Sequence, residues 1–157
     1  MTSPSPTSDL EQLLAESSRI EVGPQGVPES VLEAAESRLG RPFSSSYRWF
    51  LGRYGIAFVG GYELNGVAPP AYEDGANPLE FYGEIVSQHL RNRDDPSWDT
   101  ELIEIISFEG EQVFCFDTSH GLVDGEYPIV ELDVPAGTVE GFARDFFEFL
   151  RRMLDAD

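Results

Sequence analysis

The stretch from Val27 to Gly61 constrains the fold more than any other part of the chain, because helix boundaries and apolar spacing agree along it. Pro28 occupies a first helical position and Gly40 a helix end, with apolar residues at helical spacing between them. After a tight corner, a second stripe closes at Gly55 and consists of Tyr47, Phe50, Leu51 and Tyr54. The stretch therefore predicts two short helices that lead into an extended segment.

In the rest of the chain, the spacing of apolar residues changes between that of a helix and that of a strand. Past Gly55, two short strands are predicted around the glycine pair at positions 60 and 61. Asn77 and Pro78 start a helix whose apolar stripe continues to Leu90. Three β-rich runs follow, Glu101–Phe108, Gln112–Asp117 and Tyr127–Asp133, and a hairpin turn joins the first two. A last helix is predicted from Thr138, with one face formed by Val139, Phe142, Ala143, Phe146, Leu150 and Met153.

This order of elements predicts a single α+β domain, mainly an antiparallel sheet with helices packed around it. Residues 1–8 are rich in serine and proline and are predicted to be a disordered tail, and the domain covers residues 9–157. Ser8 and Glu11 form a capping box that opens the first helix. A chain of 157 residues buries about 70% of its unfolded surface, which is enough for a core without crosslinks.

The cysteine count and the N-terminus indicate a compartment. Cys115 is the only cysteine, so no internal disulfide can form. The first nine residues contain neither a basic residue nor an apolar run, so no secretory signal is predicted. No stretch approaches ~18 consecutive apolar residues. We expect a cytoplasmic protein without a membrane contact.

The charge balance is strongly acidic, with 29 acidic residues against 10 basic ones and a formal net charge of −19. Every basic residue is an arginine. Such a field repels nucleic acid and anionic lipid and attracts basic partners. The charge therefore excludes a nucleic-acid-binding role, and it agrees with either a basic protein partner or simple solubility.

No catalytic or cofactor-binding motif occurs in the sequence: GxSxG, P-loop, GxGxxG and HExxH patterns are absent. His89, His120 and Cys115 lack the paired spacing of zinc ligands, and a thiol inside an apolar strand is most simply a small buried residue. The acids between Asp117 and Glu126 do not follow the EF-hand pattern. We predict no enzyme activity, no metal site and no cofactor, although sequence alone leaves a Cys-His nucleophile pair open.

The Val27–Gly61 stretch resembles the signature of the SUKH superfamily, which includes bacterial toxin-immunity proteins and fungal cell-wall assembly regulators. The residues that match this signature are Glu36, Leu39, Gly40, Tyr47, Phe50, Leu51 and Gly55. Phe43, Ser44 and Tyr54 depart from the family pattern, and Pro42 lies one residue early. The second half is similar as well, with an isoleucine-rich strand, an FCFD strand, a YPIV strand and an aromatic-rich closing helix.

The resemblance implies a noncatalytic α+β domain, and most bacterial members are immunity proteins that neutralise a toxin, often a nuclease. An acidic inhibitor suits such a toxin because it mimics nucleic-acid phosphates and accelerates the encounter. The leading hypothesis is a cytoplasmic immunity protein for a polymorphic, nuclease-type toxin. The alternative is a non-enzymatic regulatory or scaffolding protein of the cell-wall assembly regulator type. A hydrolase that uses a carboxylate pair is a third hypothesis, with no motif in its favour.

Exposed acids and aromatic residues in loops are the predicted contacts, since interface anchors tend to be aromatic residues surrounded by charge. The candidate partner-binding residues are Glu63, Glu73, Asp74, Asp94, Asp95, Trp98, Asp124 and Glu126. The competing interpretation of each is an ordinary surface position, with Trp98 as a cap over the core. The predicted partner is a basic protein toxin, and the chain itself is expected to be a monomer or a weak dimer.

Overall fold

The computed structural model describes residues 6–23, 25–67 and 84–155, and within these ranges the chain forms five helices and seven strands. The helices are α1 (Pro6–Glu16), α2 (Glu29–Leu39), α3 (Ser45–Arg53), α4 (Ile85–Arg93) and α5 (Phe146–Asp155). The strands are β1 (Ile20–Val22), β2 (Ala57–Val59), β3 (Tyr62–Leu64), β4 (Leu102–Phe108), β5 (Gln112–Asp117), β6 (Ile129–Asp133) and β7 (Thr138–Ala143). The predicted α+β class is confirmed. No described helix is both long and apolar enough to cross a membrane.

The strands form two antiparallel sheets. β1, β2 and β3 make a three-stranded sheet, and β4, β5, β6 and β7 follow one another in a four-stranded meander. β3 lies beside β4, because the backbone N–H of Asn65 donates to the carbonyl of Ile105 at 2.7 Å. The rings of Tyr62 and Phe108 also meet edge to face there. Within the described part of the chain, β1 and β7 are therefore the outermost strands of the two sheets.

A bulge in β4 forms the junction between the sheets. The register between β4 and β5 shifts between Glu104 and Ile106, which leaves Ile105 as an extra residue. Asn65 is buried against this bulge, where its backbone N–H donates to Ile105 and its side-chain amide donates to the Glu104 carbonyl at 3.0 Å. Its own carbonyl accepts the Tyr47 hydroxyl at 2.6 Å. One buried asparagine thus connects α3, β3 and β4.

An aromatic core packs helices α3 and α5 on one face of the four-stranded sheet. Tyr47 is fully buried, and its ring meets Phe43, Phe116 and Phe146 edge to face. Phe146 extends these contacts to Phe50 on α3. Aromatic pairs of this geometry contribute about 0.5–1.5 kcal/mol each beyond the area that they bury. The cluster therefore fixes the two helices on the sheet.

The predicted helix-corner-helix stretch is confirmed. Pro28 is extended (ψ 154°) and precedes the first residue of α2, so it does not occupy the predicted first helical position. Gly40 follows Leu39, and its φ of 82° is a left-handed conformation that favours glycine. α3 begins after Ser44, whose hydroxyl accepts the Tyr47 N–H. β2 and β3 are joined by Gly60 and Gly61, both at positive φ, and the β4–β5 hairpin turns at positions 109–111.

The last predicted helix is wrong over its first part. Thr138–Ala143 forms β7, which pairs with β6, and α5 begins only at Phe146. The turn before β7 contains Gly137 at a φ of 69°, and it returns the chain along β6. Val139, which the helical pattern placed on an apolar face, is 52% exposed.

The other differences lie at the ends of elements. β1 was not predicted, because three residues are too few for a period-2 pattern. α1 begins at Pro6, two residues before the predicted Ser8 and inside the predicted tail, and β6 begins two residues later than expected. The predicted helix start at Asn77 lies outside the described residues. The prediction of one continuous helix up to Leu90 is wrong, because Glu84 is extended (φ −96°, ψ 122°) and its carboxylate caps α4, which begins only at Ile85.

Candidate partner-binding surface

Basic residues are absent from the segment that forms the four-stranded sheet. Arg93 and Arg144 are consecutive arginines in the sequence, with no lysine between them. The same segment holds 13 of the 29 acids: Asp94, Asp95, Asp99, Glu101, Glu104, Glu109, Glu111, Asp117, Asp124, Glu126, Glu131, Asp133 and Glu140. We call the surface that these acids occupy the acidic sheet surface.

The arginines mostly neutralise acids elsewhere. Six ion pairs form among the described residues, and five of them leave the acidic sheet surface untouched: Arg38–Glu84, Arg48–Glu29, Arg48–Glu36, Arg53–Glu11 and Arg144–Glu148. The sixth joins Arg41 to Glu101 at 2.7 Å. The pairing is therefore uneven: five described acids outside the sheet segment are paired with arginine, whereas Glu101 is the one acid of the segment that an ion pair among the described residues reaches.

One end of the sheet, which we call the loop end, carries Trp98 in the acidic loop after α4. The indole N–H donates to the Leu102 carbonyl at 3.1 Å, and the half-buried ring packs on an apolar cluster of Leu102, Val113, Cys115 and Val130. The Asp95 carboxylate accepts both the backbone N–H and the hydroxyl of Ser97, which fixes the loop. Asp94 is exposed beside it. Trp98 thus caps a cluster and also lies among exposed acids.

The opposite end of the sheet, which we call the hairpin end, is the turn between β4 and β5. The two ends are about 20 Å apart along β4. Glu109 and Glu111 are exposed there, and Glu63 is exposed on β3. Tyr62 donates its hydroxyl to Glu109 at 2.9 Å, and this hydrogen bond raises the pKa of the Tyr62 phenol. No ion pair among the described residues reaches these three glutamates.

Glu104 lies between the two ends and has a different environment. Its carboxylate accepts the side-chain amide of Asn92 at 3.2 Å, and it is paired with Cys115 in the β4–β5 register. Burial raises the pKa of Glu104, and the hydrogen bond from Asn92 opposes that shift. This geometry favours a structural role, in which Glu104 holds α4 against β4.

The turn that contains Asp124 and Glu126 contacts the N-terminus of α3. The Glu126 carboxylate accepts the Ser46 N–H at 3.0 Å and also the Ser46 hydroxyl, and the Gly125 carbonyl accepts the Ser45 N–H at 2.8 Å. Burial raises the pKa of Glu126, whereas the hydrogen bonds from Ser46 lower it. A carboxylate at a helix N-terminus stabilises the helix. The geometry therefore favours a structural role for Glu126 and leaves Asp124 exposed.

The groups that sequence analysis considered for chemistry are poorly suited to it. Cys115 is fully buried, and burial together with nearby Glu104 and Asp99 raises the pKa of its thiol. A thiolate is the nucleophilic form, so this cysteine is unreactive in the folded protein. His89 is also buried, and none of the described residues forms a hydrogen bond with its Nδ1. Burial, Arg93 and Arg41 lower its pKa. Within the described ranges, no group of three or more His, Cys, Asp or Glu side chains is placed to hold a metal ion.

The structure places the predicted contact residues in three regions. The loop end holds Asp94, Asp95 and Trp98, the hairpin end holds Glu63, and the turn beside α3 holds Asp124 and Glu126. Glu73 and Asp74 lie outside the described residues. The first two regions lie at opposite ends of the four-stranded sheet, whereas the third packs on α3.

The exposed or half-buried acids that the sequence analysis missed include Glu109, Glu111, Glu131 and Glu140. A signal for them existed, since the absence of arginine between positions 94 and 143 is visible in the sequence. The pairing register adds what the sequence lacks, because it shows which of these acids are neighbours. Glu131 and Glu140, for example, are directly opposite each other on β6 and β7.

Comparison with protein families gives a match that covers most of the chain. Residues 8–155 match the model of the SUKH_5 family, described as SMI1-KNR4 cell-wall. This range includes the helix-corner-helix stretch, both sheets and α5. Comparison with curated proteins gives no match.

Proposed function

Because the chain belongs to the SUKH superfamily, we propose that it is a cytoplasmic immunity protein that binds a basic protein toxin and blocks its action. The observation that carries the proposal is the segregation of charge. The four-stranded sheet has no basic residue, while the helices neutralise much of their own charge. Solubility depends on net charge and requires no such separation, whereas a binding surface of one sign does.

The acidic sheet surface suits a nuclease-type toxin in particular. A nuclease presents a positively charged groove to its substrate, and carboxylates spaced along a sheet can occupy that groove in place of phosphates. Complementary charge accelerates association at low salt, because long-range attraction guides the encounter. Inhibition of this kind needs no catalytic group and no cofactor in the immunity protein.

The loop end offers the strongest anchor on this surface. Trp98 is half-buried, fixed by its bond to Leu102 and bordered by Asp94 and Asp95. A rigid aromatic side chain surrounded by charge is the composition that dominates binding energy at protein interfaces. We therefore propose Trp98 as the apolar contact and the acids of both ends as the source of the attraction.

Purification with the product of a neighbouring toxin gene tests the proposal. The chain and the toxin are co-expressed, rescue of growth is scored, and association rates are measured at low and high salt. The double variant Glu63→Lys and Glu111→Lys reverses two exposed charges at the hairpin end. The expected result is an association rate at least tenfold lower at low salt, with a smaller difference at high salt.

The matched control is the double variant Glu16→Lys and Glu33→Lys. Both glutamates are exposed on helices, and the variant changes the net charge by the same amount. If both double variants slow association equally, net charge alone acts and the surface assignment is wrong. If the chain forms no complex with the toxin and does not rescue growth, the immunity role is wrong.

The regulatory alternative has one observation in its favour, since the description of the matched family refers to the cell wall. It would use the same fold and surface with a host protein as the partner. Affinity purification from the native cell that returns a host protein at stoichiometric amounts, and no toxin, would support it over the immunity role.

A further inference from the structure

The outer edge of β7 is an open strand edge. Among the described residues, β7 is the last strand of its sheet and pairs only with β6. Residues 138–141 are all exposed, and beyond the β6 ladder no hydrogen bond among the described residues reaches their backbone. The ladder is regular from the Asp133–Thr138 pair to the Val130–Gly141 pair. An edge of this kind is a template for a further strand.

Few of the usual protections against strand addition are present along this edge. β7 contains no proline and no lysine, and its only irregularity lies beyond Gly141, where the register shifts. Arg152 closes that end of the edge, because it lies over the Phe142 ring and donates to the Phe142 carbonyl. The open part is therefore about 13 Å long.

The two faces of the edge differ in chemistry. On one face, Glu131 of β6 lies directly opposite Glu140 of β7, and no ion pair among the described residues reaches either one. Like charges directly opposite each other destabilise a sheet. On the other face, Leu132 lies opposite Val139, which is more than half exposed. The first face therefore suits a cationic side chain, and the second suits an apolar one.

Gly141 adds space on the apolar face. It is paired with Val130, and a Cβ atom built on it would meet no atom within 4 Å. A glycine inside a strand often marks a place where another chain approaches closely. An apolar side chain from an added strand has room to pack there beside Val130.

We propose that the β7 edge binds an extended, basic segment of a partner protein as an additional strand. Arginine or lysine side chains of that segment lie beside Glu140, and apolar side chains alternate with them and cover Val139. A second copy of this chain fits poorly, because edge-to-edge pairing would bring two Glu140 carboxylates together. The inference rests on the proposed function only in taking the partner to be a toxin, and the chemistry of the segment is independent of that.

Synthetic hexapeptides test the pairing directly. The probe alternates arginine and valine, and its composition-matched control has three arginines followed by three valines. Binding is measured by fluorescence anisotropy with the full chain at low salt. The alternating peptide is expected to bind at least tenfold more tightly than the block peptide, because only period-2 alternation matches the two faces of a strand.

Backbone methylation separates strand pairing from simple attraction between charges. Two versions of the alternating peptide carry N-methyl groups on every second amide, either the odd set or the even set. An added strand directs one set towards β7 and the other to solvent. One version is expected to lose binding and the other to keep it. Equal affinity of both versions would overturn the proposal.

The protein variants are Glu140→Lys and its control Glu21→Lys, an equal charge change on the other outermost strand, β1. Glu140→Lys is expected to weaken peptide binding at least tenfold while raising the melting temperature, since it replaces a repulsive pair with an attractive one. An unchanged affinity, or an equal loss with Glu21→Lys, would overturn the edge assignment. Peptide binding without any toxin partner would leave this inference standing and remove the proposed function. If the chain binds the toxin and Glu140→Lys does not affect that binding, the proposed function stands and this inference is wrong.

Discussion

Asn65 supplies the sharpest test of how the two sheets are joined. Replacing it with alanine removes the side-chain amide that donates to the Glu104 carbonyl at 3.0 Å. The backbone bonds of Asn65 to Ile105 and Tyr47 do not involve the side chain and remain available. The substitution therefore isolates one hydrogen bond at the bulge of β4.

The expected magnitude follows from burial. Asn65 is 4% exposed, so water reaches the Glu104 carbonyl poorly once the amide is gone. A buried acceptor left without a partner costs about 1–3 kcal/mol. For a domain of this size, each kcal/mol lowers the melting temperature by about 2–4 °C. Asn65→Ala is therefore expected to lower it by roughly 2–12 °C.

Urea denaturation and thermal melting measure this effect. The control is Gln12→Ala, which removes an exposed amide bond to Glu16 on α1 and should change stability by less than about 0.5 kcal/mol. Tyr47→Phe tests the other side of the junction, since it removes the donor to the Asn65 carbonyl and should lower stability by about 1–3 kcal/mol. If Asn65→Ala is as stable as the unchanged chain, water satisfies the bulge, and the amide does not join the sheets.

Three further predictions concern single groups. Burial raises the pKa of Glu104 above its ordinary 4.5. The protonated form therefore stabilises the fold at acidic pH, and this contribution is lost as pH rises through the folded pKa. Measured by urea midpoints, Glu104→Gln should gain stability relative to the unchanged chain between acidic and neutral pH. Gly66→Ala places a Cβ atom 2.0 Å from the Gly55 carbonyl oxygen and should lower the free energy of unfolding by about 2–3 kcal/mol or more. In the control Gly52→Ala, the new Cβ in α3 meets no atom within 4 Å, so this variant should be neutral or stabilising. Equal melting temperatures of the two variants would refute the steric argument. Cys115 should react with a thiol reagent only at the rate of unfolding, and rapid labelling under native conditions would contradict its burial.

Local signals predicted the elements whose boundaries are fixed by local chemistry. Pro28 and Gly40 bound α2 because a missing N–H and a left-handed φ are properties of single residues. The β4–β5 hairpin was equally readable, since its two runs are long and enriched in β-branched and aromatic residues. The junction at Asn65 was not readable, because a side-chain bond to a bulge depends on the position of a distant strand.

The candidate surface was predictable in its chemistry but not in its arrangement. Net charge and the arginine-free segment are visible in the sequence and indicate an acidic surface. Choosing acids by their loop position selected Glu126, which the fold uses at the N-terminus of α3. The same choice passed over Glu131, which lies in a predicted strand, and Glu140, which lies in the predicted last helix and in fact belongs to β7. Which carboxylates stay free depends on tertiary contacts, and those contacts join distant parts of the chain.

The error at β7 shows how one wrong element conceals a site. On a helix, Glu140 would be one more solvated acid, with no neighbour determined by the sequence. As a strand residue it is opposite Glu131 and lies at an open edge, so two carboxylates that repel each other become a site for a cation. Gly141 and the Thr138–Val139 pair already argued against a helix, since glycine inside a helix costs about 1 kcal/mol and β-branched residues favour strands. The helical spacing of Val139 and Phe142 outweighed them only because the bulge breaks the period of two where Phe142 lies. The bulge at Phe142 obscures the strand pattern in the sequence. The same bulge ends the open edge of β7 and limits what can pair with it.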